Sequence, residues 1–247
     1  MKRVFYDYSV VHIIGRKQQI PKNILKSFVV ILLVAAVVFA VIFFMFNSRQ
    51  ITIKQRDFYF VVLSNHASYD LAQKKCEEIR ENGGSGYVLK GEIYRVTAFV
   101  YMNYDDANSV VSKLKLNGED AYVYKKSLKK TTLKMNSYLH KKNMKIFIKS
   151  CNKIIQDLYD CTLQVQKGEM TISVAEKLIQ EEIQSFEKNY KKLISIRQLY
   201  EKNEKINQIM VNGEEFANSL YELNDDFSEM KYILCKMVDL CINFTNL

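Results

Sequence analysis

The chain has 247 residues, with five cysteines, one proline and a net charge of +9. The length allows one or two domains, and an odd number of cysteines without a Cys-x-x-Cys spacing excludes a typical zinc site and a dense disulfide framework. A large part of the positive charge precedes residue 28, so we do not expect nucleic acid as a partner.

The longest apolar run extends from Phe28 to Phe46 and contains no charged, proline or amide side chain. A helix needs about 20 apolar residues to cross a bilayer core. The run therefore predicts a transmembrane helix at 28–46, and a buried core helix is the alternative. Lysine and arginine are more frequent before the run than after it, which predicts a single-pass protein of the cell membrane with a cytoplasmic N-terminus and an extracytoplasmic bulk.

The flanks of this run are short. Residues 1–27 form the predicted cytoplasmic tail, either as a flexible segment or as a short docking peptide for another protein. Residues 47–57 form a predicted linker, which would span only about 35 Å when extended.

Residues 58–126 alternate between two kinds of pattern. Aromatic and β-branched runs predict strands, and apolar residues at helical spacing predict helices. The predicted strands cover 58–63, 87–89, 93–99 and 121–124, and the predicted helices cover 67–82 and 105–116. The order β-α-β-β-α-β is typical of a split βαβ fold, a four-stranded antiparallel sheet with two helices on one face.

Alternation along these strands divides their side chains between two faces. Val61, Leu63 and Val96 point towards the predicted helices. The opposite face, which we predict to bind glycan, carries Phe60, Val62, Arg95, Thr97, Tyr122 and Tyr124. Tyrosine rings can lie against sugars and also form hydrogen bonds, and an arginine can bind hydroxyl or carboxylate groups. The alternative is that C-terminal helices cover this face.

The segments Tyr59–His66 and Tyr94–Tyr101, the latter followed by Asp105, Asp106 and Ala107, make this region similar to the SPOR domain, a bacterial cell-wall module. Val62 stands where that family usually has glutamine. The resemblance implies binding to peptidoglycan, on glycan strands that have lost their stem peptides. The layout of tail, span and outer domain is similar to that of sporulation proteins with this domain, which implies a role at division or sporulation septa.

Residues 127–247 repeat apolar side chains at spacings of three and four, which predicts helices packed at shallow angles. With turns at Gly168 and at Asn212–Gly213, we predict a three-helix antiparallel coiled-coil-like bundle at 127–166, 172–211 and 214–244, which could contact a protein partner. In this register Cys151 and Cys241 face each other, as a disulfide or as two reduced thiols.

Ten lysines and no acid lie between Lys125 and Lys153. The run indicates either an anionic partner, such as lipid headgroups or an acidic wall polymer, or a solvated face. On the second interpretation the lysines are partly balanced by acids on the third predicted helix: Glu214, Glu215, Glu222, Asp225, Asp226 and Glu229.

No catalytic constellation, metal site or cofactor motif is evident. His66 and His140 lack metal spacing, and the paired Asp105 and Asp106 suit a helix N-terminus. The predicted fold class is a single transmembrane helix plus an α+β region, the split βαβ sheet followed by the helical bundle. We expect no enzyme but a membrane-anchored peptidoglycan-binding protein. The alternative is a membrane-anchored structural scaffold whose βαββαβ and helical domains contact proteins without binding glycan.

Overall fold

The computed structural model describes residues 22–47, 49–223 and 226–245. The chain divides into two compact units, Met1–Ser48 and Arg49–Leu247. Residues 1–21, which make up most of the predicted cytoplasmic tail, lie outside the described residues.

Helix α1 covers Lys22–Asn47, and its apolar side chains between Val30 and Phe43 are exposed. Across the described residues, no helix combines the length and the hydropathy needed to cross a membrane. This finding contradicts the predicted transmembrane helix at 28–46, and with it the predicted membrane localisation and orientation.

The second unit contains two antiparallel sheets and six α-helices among its described residues. Its elements in chain order are β1 (Gln50–Ile53), β2 (Arg56–His66), α2 (Tyr69–Glu81), β3 (Tyr87–Leu89), β4 (Tyr94–Tyr101), α3 (Tyr104–Leu116), β5 (Tyr122–Leu128), β6 (Thr131–Lys134), α4 (Tyr138–Gln166), α5 (Ile172–Ile194), a 3-10 helix (Arg197–Tyr200), α6 (Glu204–Tyr221) and α7 (Phe227–Asn243).

The larger sheet has the strand order β3-β4-β2-β5, with antiparallel neighbours throughout. Together with α2 and α3 it contains the predicted β-α-β-β-α-β order. The Ser68 side chain caps α2 by accepting a hydrogen bond from the Leu71 amide, and Asn103 caps α3 in the same way. Gly83 ends the α2 segment with a φ of 76°, a left-handed conformation that favours glycine.

The smaller sheet was not predicted. It pairs β1 with β6 in the register Gln50↔Lys134 to Ile53↔Thr131, so a strand lies in the predicted linker 47–57 and another in the region predicted to be entirely helical. Ile51 and Ile53 are buried, while Gln50 and Thr52 are exposed. This alternation is typical of a strand with one buried face, but it is only four residues long.

The C-terminal region contains four long helices, α4 to α7, instead of the three predicted, so the three-helix bundle is wrong. The predicted turn at Asn212–Gly213 lies inside α6. A Cβ atom on Gly213 would lie 2.7 Å from Cζ of Phe147 and 3.2 Å from Cε2 of Tyr190. This glycine therefore marks a close approach between helices and not a turn.

One hydrophobic core joins the sheet region to the helical region. Phe58 and Phe60 of β2 belong to the same buried cluster as Phe147 of α4 and Phe216 of α6. The predicted regions 58–126 and 127–247 therefore share their interior within the unit Arg49–Leu247.

The predicted proximity of Cys151 and Cys241 is confirmed, because α4 and α7 pack against each other and Cys241 lies close enough to help raise the pKa of Cys151. All five cysteines are free and buried. Burial raises the pKa of Cys151 well above its ordinary value and raises the pKa of Cys76 to about 11. Of the two alternatives considered for this pair, the structure has the reduced thiols.

We expect Gly213→Ala to lower the free energy of unfolding by about 1–3 kcal/mol, because the added methyl group overpacks the contact with Phe147. The same substitution at an exposed glycine in a helix would instead stabilise the protein. Chemical denaturation measures the change. Glu215→Ala, at an exposed position of the same helix, should change stability by less than about 0.5 kcal/mol. A Phe147→Leu background should recover part of the loss, and a stabilised Gly213→Ala variant would contradict the close packing.

We expect none of the five cysteines to react with a maleimide in the folded protein at pH 8. Their thiols are buried, and a pKa of about 11 leaves Cys76 only about 0.1% thiolate at that pH. Mass spectrometry should find five labels after unfolding in guanidinium and none before it. Rapid labelling of any one cysteine in the folded protein would contradict the burial of that cysteine.

Candidate functional site

The six residues predicted to bind glycan divide into a buried group and a partly exposed group. Phe60, Val62 and Thr97 have no exposed surface. Arg95, Tyr122 and Tyr124 are half-buried. The prediction that all six form an open face is therefore wrong for the first three residues.

Helix α7 covers the sheet face that carries Thr97. Val96 packs into a cluster with Ala72 and Cys76 of α2, so the neighbouring Thr97 faces the other way, and its Oγ1 lies 4.0 Å from Sγ of Cys235 in α7. Helix α7 packs against β3, β4 and β5. The structure thus has the alternative arrangement, in which a C-terminal helix covers this face.

Polar contacts hold the first half of α7 against the turn after α2. Ser228 donates to the carbonyl of Arg80 at 2.8 Å, and the Lys231 amine donates to the carbonyl of Gly83 at 2.7 Å. The Lys231 amine also lies 4.2 Å from the centroid of the Phe227 ring. Burial lowers the pKa of Lys231. These bonds satisfy polar groups that α7 would otherwise bury unpaired.

A charged cluster holds the second half of α7. The Asp239 carboxylate accepts a hydrogen bond from the Tyr87 hydroxyl at 3.1 Å and forms an ion pair with Lys126 of β5. The side chains of Asp239 and Lys126 are only 11% and 18% exposed. Burial and the neighbouring carboxylate together raise the pKa of Tyr87. The cluster therefore fixes where α7 crosses the sheet.

Arg95, Tyr122 and Tyr124 form a corner of the sheet that α7 leaves partly open. The guanidinium carbon of Arg95 lies 4.3 Å from the centroid of the Tyr124 ring. The Tyr122 hydroxyl donates to Oδ1 of Asn65 at 2.7 Å. Nε of Arg95 is buried without a hydrogen-bond partner. We name these three residues the open corner.

A second feature, absent from the predicted site, is a groove of about 670 Å³ beside β1. One wall is the chain from Gln50 to Arg56, and the other is a face of α4 that carries Lys141, Lys145 and Lys149. These lysines are four residues apart and therefore lie on one side of the helix. The alternating Ile51 and Ile53 were the available sequence signal, but a strand of four residues is too short to stand out.

The lysine run from 125 to 153 is balanced only in part. Lys125 pairs with Asp57, Lys126 with Asp239, and Lys153 with both Asp157 and Glu182. Three of the acids predicted to balance the run form ion pairs elsewhere: Glu214 with Arg197, Glu222 with Lys236 and Glu229 with Arg80. Lys142, Lys145 and Lys149 have no ion pair within the described part of the chain.

The two histidines of the second unit form ordinary structural contacts. His66 Nε2 lies 3.0 Å from the Ser64 hydroxyl, and His140 Nδ1 lies 2.9 Å from the Tyr200 hydroxyl. Within the described residues, no group of three or more His, Cys, Asp or Glu side chains could hold a metal ion. Asp105 and Asp106 lie in the first turn of α3, where negative charge is favourable.

Comparisons with models of known protein families, with curated proteins and with solved structures find no match to this chain. The resemblance to the SPOR domain therefore stays a prediction that depends on the residues quoted for it.

We expect Asp239→Ala to lower the free energy of unfolding by about 2–3 kcal/mol, because the substitution leaves the Lys126 amine and the Tyr87 hydroxyl without their partner in a largely dry contact. Glu222→Ala is the matched control. It removes an ion pair to α7 whose carboxylate is 49% exposed, and it should cost less than about 1 kcal/mol. Equal losses in the two denaturation curves would show that the Asp239 cluster does not hold α7.

Proposed function

We propose that the protein is a non-catalytic scaffold that binds other proteins, and that it uses the larger sheet to hold its own helix α7 and not to bind glycan. The observation that carries this proposal is the complete burial of Phe60, Val62 and Thr97, together with the position of α7 over Thr97. A surface that is closed by the chain itself is not available to a polysaccharide.

The cost of opening this face supports the proposal. Releasing α7 would expose its own buried side chains, such as Ile233, Leu234 and Met237, at about 1.5–3 kcal/mol for each large apolar side chain. It would also separate Lys126 from Asp239 and remove the hydrogen bond from Tyr87. Sugar hydroxyls already have good hydrogen bonds to water, so a glycan strand would offset little of this cost.

Glycan binding at the open corner is a second candidate function. Nε of Arg95 is a buried donor without a partner, and a hydroxyl or carboxylate of a sugar could supply one. One face of the Tyr124 ring lies against the guanidinium group. The corner therefore offers three side chains in place of the six predicted, and it binds without moving α7.

Sedimentation of the full chain with purified peptidoglycan sacculi distinguishes the two candidates. On the scaffold proposal, we expect the protein to remain in the supernatant, both with intact sacculi and with sacculi whose stem peptides have been removed by an amidase.

Protein that pellets with sacculi, and that loses this binding in both Arg95→Ala and Tyr122→Ala, would overturn the scaffold proposal in favour of the open corner. Tyr221→Ala is the control for the loss of an exposed tyrosine, because its side chain is 67% exposed on α6. Unchanged thermal unfolding of each variant would exclude misfolding as the cause.

A further inference from the structure

The groove beside β1 combines three features. Its first wall is continuous backbone, seven consecutive residues from Gln50 to Arg56. Its second wall is the lysine face of α4. Its volume of about 670 Å³ is that of a site for a short peptide segment or a comparable ligand.

The backbone wall includes a strand with an unused edge. In the described structure β1 pairs only with β6, in a sheet of two strands. The other edge of β1 therefore presents amide and carbonyl groups without a strand partner. Such an edge can act as a template for an added strand.

The groove is lined by both apolar and positively charged side chains. Ile51 and Ile53 are nearly buried, and Ile148 of α4 is half-buried beside them. Lys145 and Lys149 also line the groove, and both are without an ion pair in the described part of the chain. A ligand that matches the groove therefore carries apolar groups on one side and negative charge on the other.

We propose that this groove binds an acidic segment of a partner protein in an extended conformation, added as a third strand to β1. Successive side chains of a strand point to opposite sides. Alternating apolar and acidic residues would therefore contact the isoleucines and the lysines at the same time. A segment of about seven residues, at roughly 3.3 Å each, matches the seven-residue wall.

The strand edge and the isoleucines favour a peptide over a simple polyanion. A nucleic acid or a polyphosphate would use the lysines but neither the backbone groups of β1 nor the apolar side chains. The proposal rests on the proposed function, because it gives the scaffold a partner of defined chemistry. It does not involve the open corner or the sheet face under α7.

Binding of a labelled seven-residue peptide of alternating glutamate and valine to the full chain, followed by fluorescence anisotropy, tests the proposal. We expect Lys145→Glu combined with Lys149→Glu to weaken binding at least about tenfold, since two attractive charge contacts become repulsive. Lys177→Glu combined with Lys188→Glu, at exposed sites of α5, is the matched control and should bind within about twofold of the unchanged chain.

Three further peptides identify what the groove recognises. A peptide of the same sequence with every backbone amide N-methylated lacks the donors that pair with β1 in either register, and we expect it to lose binding. A peptide of glutamate alone should bind more weakly, and a lysine-valine peptide should not bind. If the N-methylated peptide or the all-glutamate peptide binds as tightly as the alternating one, the groove is a simple polyanion site and strand addition is wrong.

Absence of binding by the alternating peptide up to about 1 mM would also overturn the proposal. A single-stranded oligonucleotide that displaces the peptide more effectively than unlabelled peptide would do the same. These results are separate from the test with sacculi. If only the peptide fails to bind, the scaffold proposal is unaffected. If the protein sediments with sacculi and this binding depends on Arg95, the scaffold proposal is wrong, whatever the groove binds.

Discussion

The docking of α7 on the larger sheet is the constraint on which the rest of the second unit depends. Apolar burial supplies most of its free energy, because side chains such as Ile233, Leu234 and Met237 have no exposed surface. Apolar contact is not directional, so it does not fix where the helix lies. The polar groups do this: Asp239 requires both Lys126 and Tyr87, and a shift of one helical turn would leave a carboxylate unpaired in a dry contact. The position of α7 then decides which side chains of the sheet reach solvent.

The β-α-β-β-α-β order could be read from the sequence because it depends on local patterns, namely strand alternation, helical spacing and the stop at Gly83. The cover over the sheet could not. It depends on a contact between Thr97 and Cys235, which are 138 residues apart, and the heptad spacing of α7 shows only that one side of the helix is apolar. Five of six consecutive residues, from Ile233 to Val238, are buried. A helix that is apolar on several sides packs against both the sheet and the other helices.

The contact between Cys151 and Cys241 was predicted correctly from a register that is wrong. That register placed a turn at Asn212–Gly213, which lies within α6, and it connected the two cysteines through a helix that does not have the predicted bounds. The contact arises because α4 and α7 pack directly against each other, and both cysteines occupy inward positions of the apolar repeat. Periodicity therefore determines which side of a helix is buried. A glycine does not by itself mark the end of a helix. Gly213 lies inside α6, where the absence of a side chain makes room for the Phe147 ring.

The lysines of this chain fall into two classes that differ in what they contribute to folding. Lys126 is largely buried and paired, so the fold requires its partner. Lys145 and Lys149 are exposed, are one helical turn apart and repel each other by a few tenths of a kcal/mol. Nothing in the described packing needs their charge, and replacing either one with a neutral helix-forming residue would relieve this repulsion. Lys145 and Lys149 therefore destabilise α4 slightly, and they lie beside the unpaired edge of β1. A ligand explains this arrangement better than folding does, since a bound anion would attract both lysines and offset their mutual repulsion.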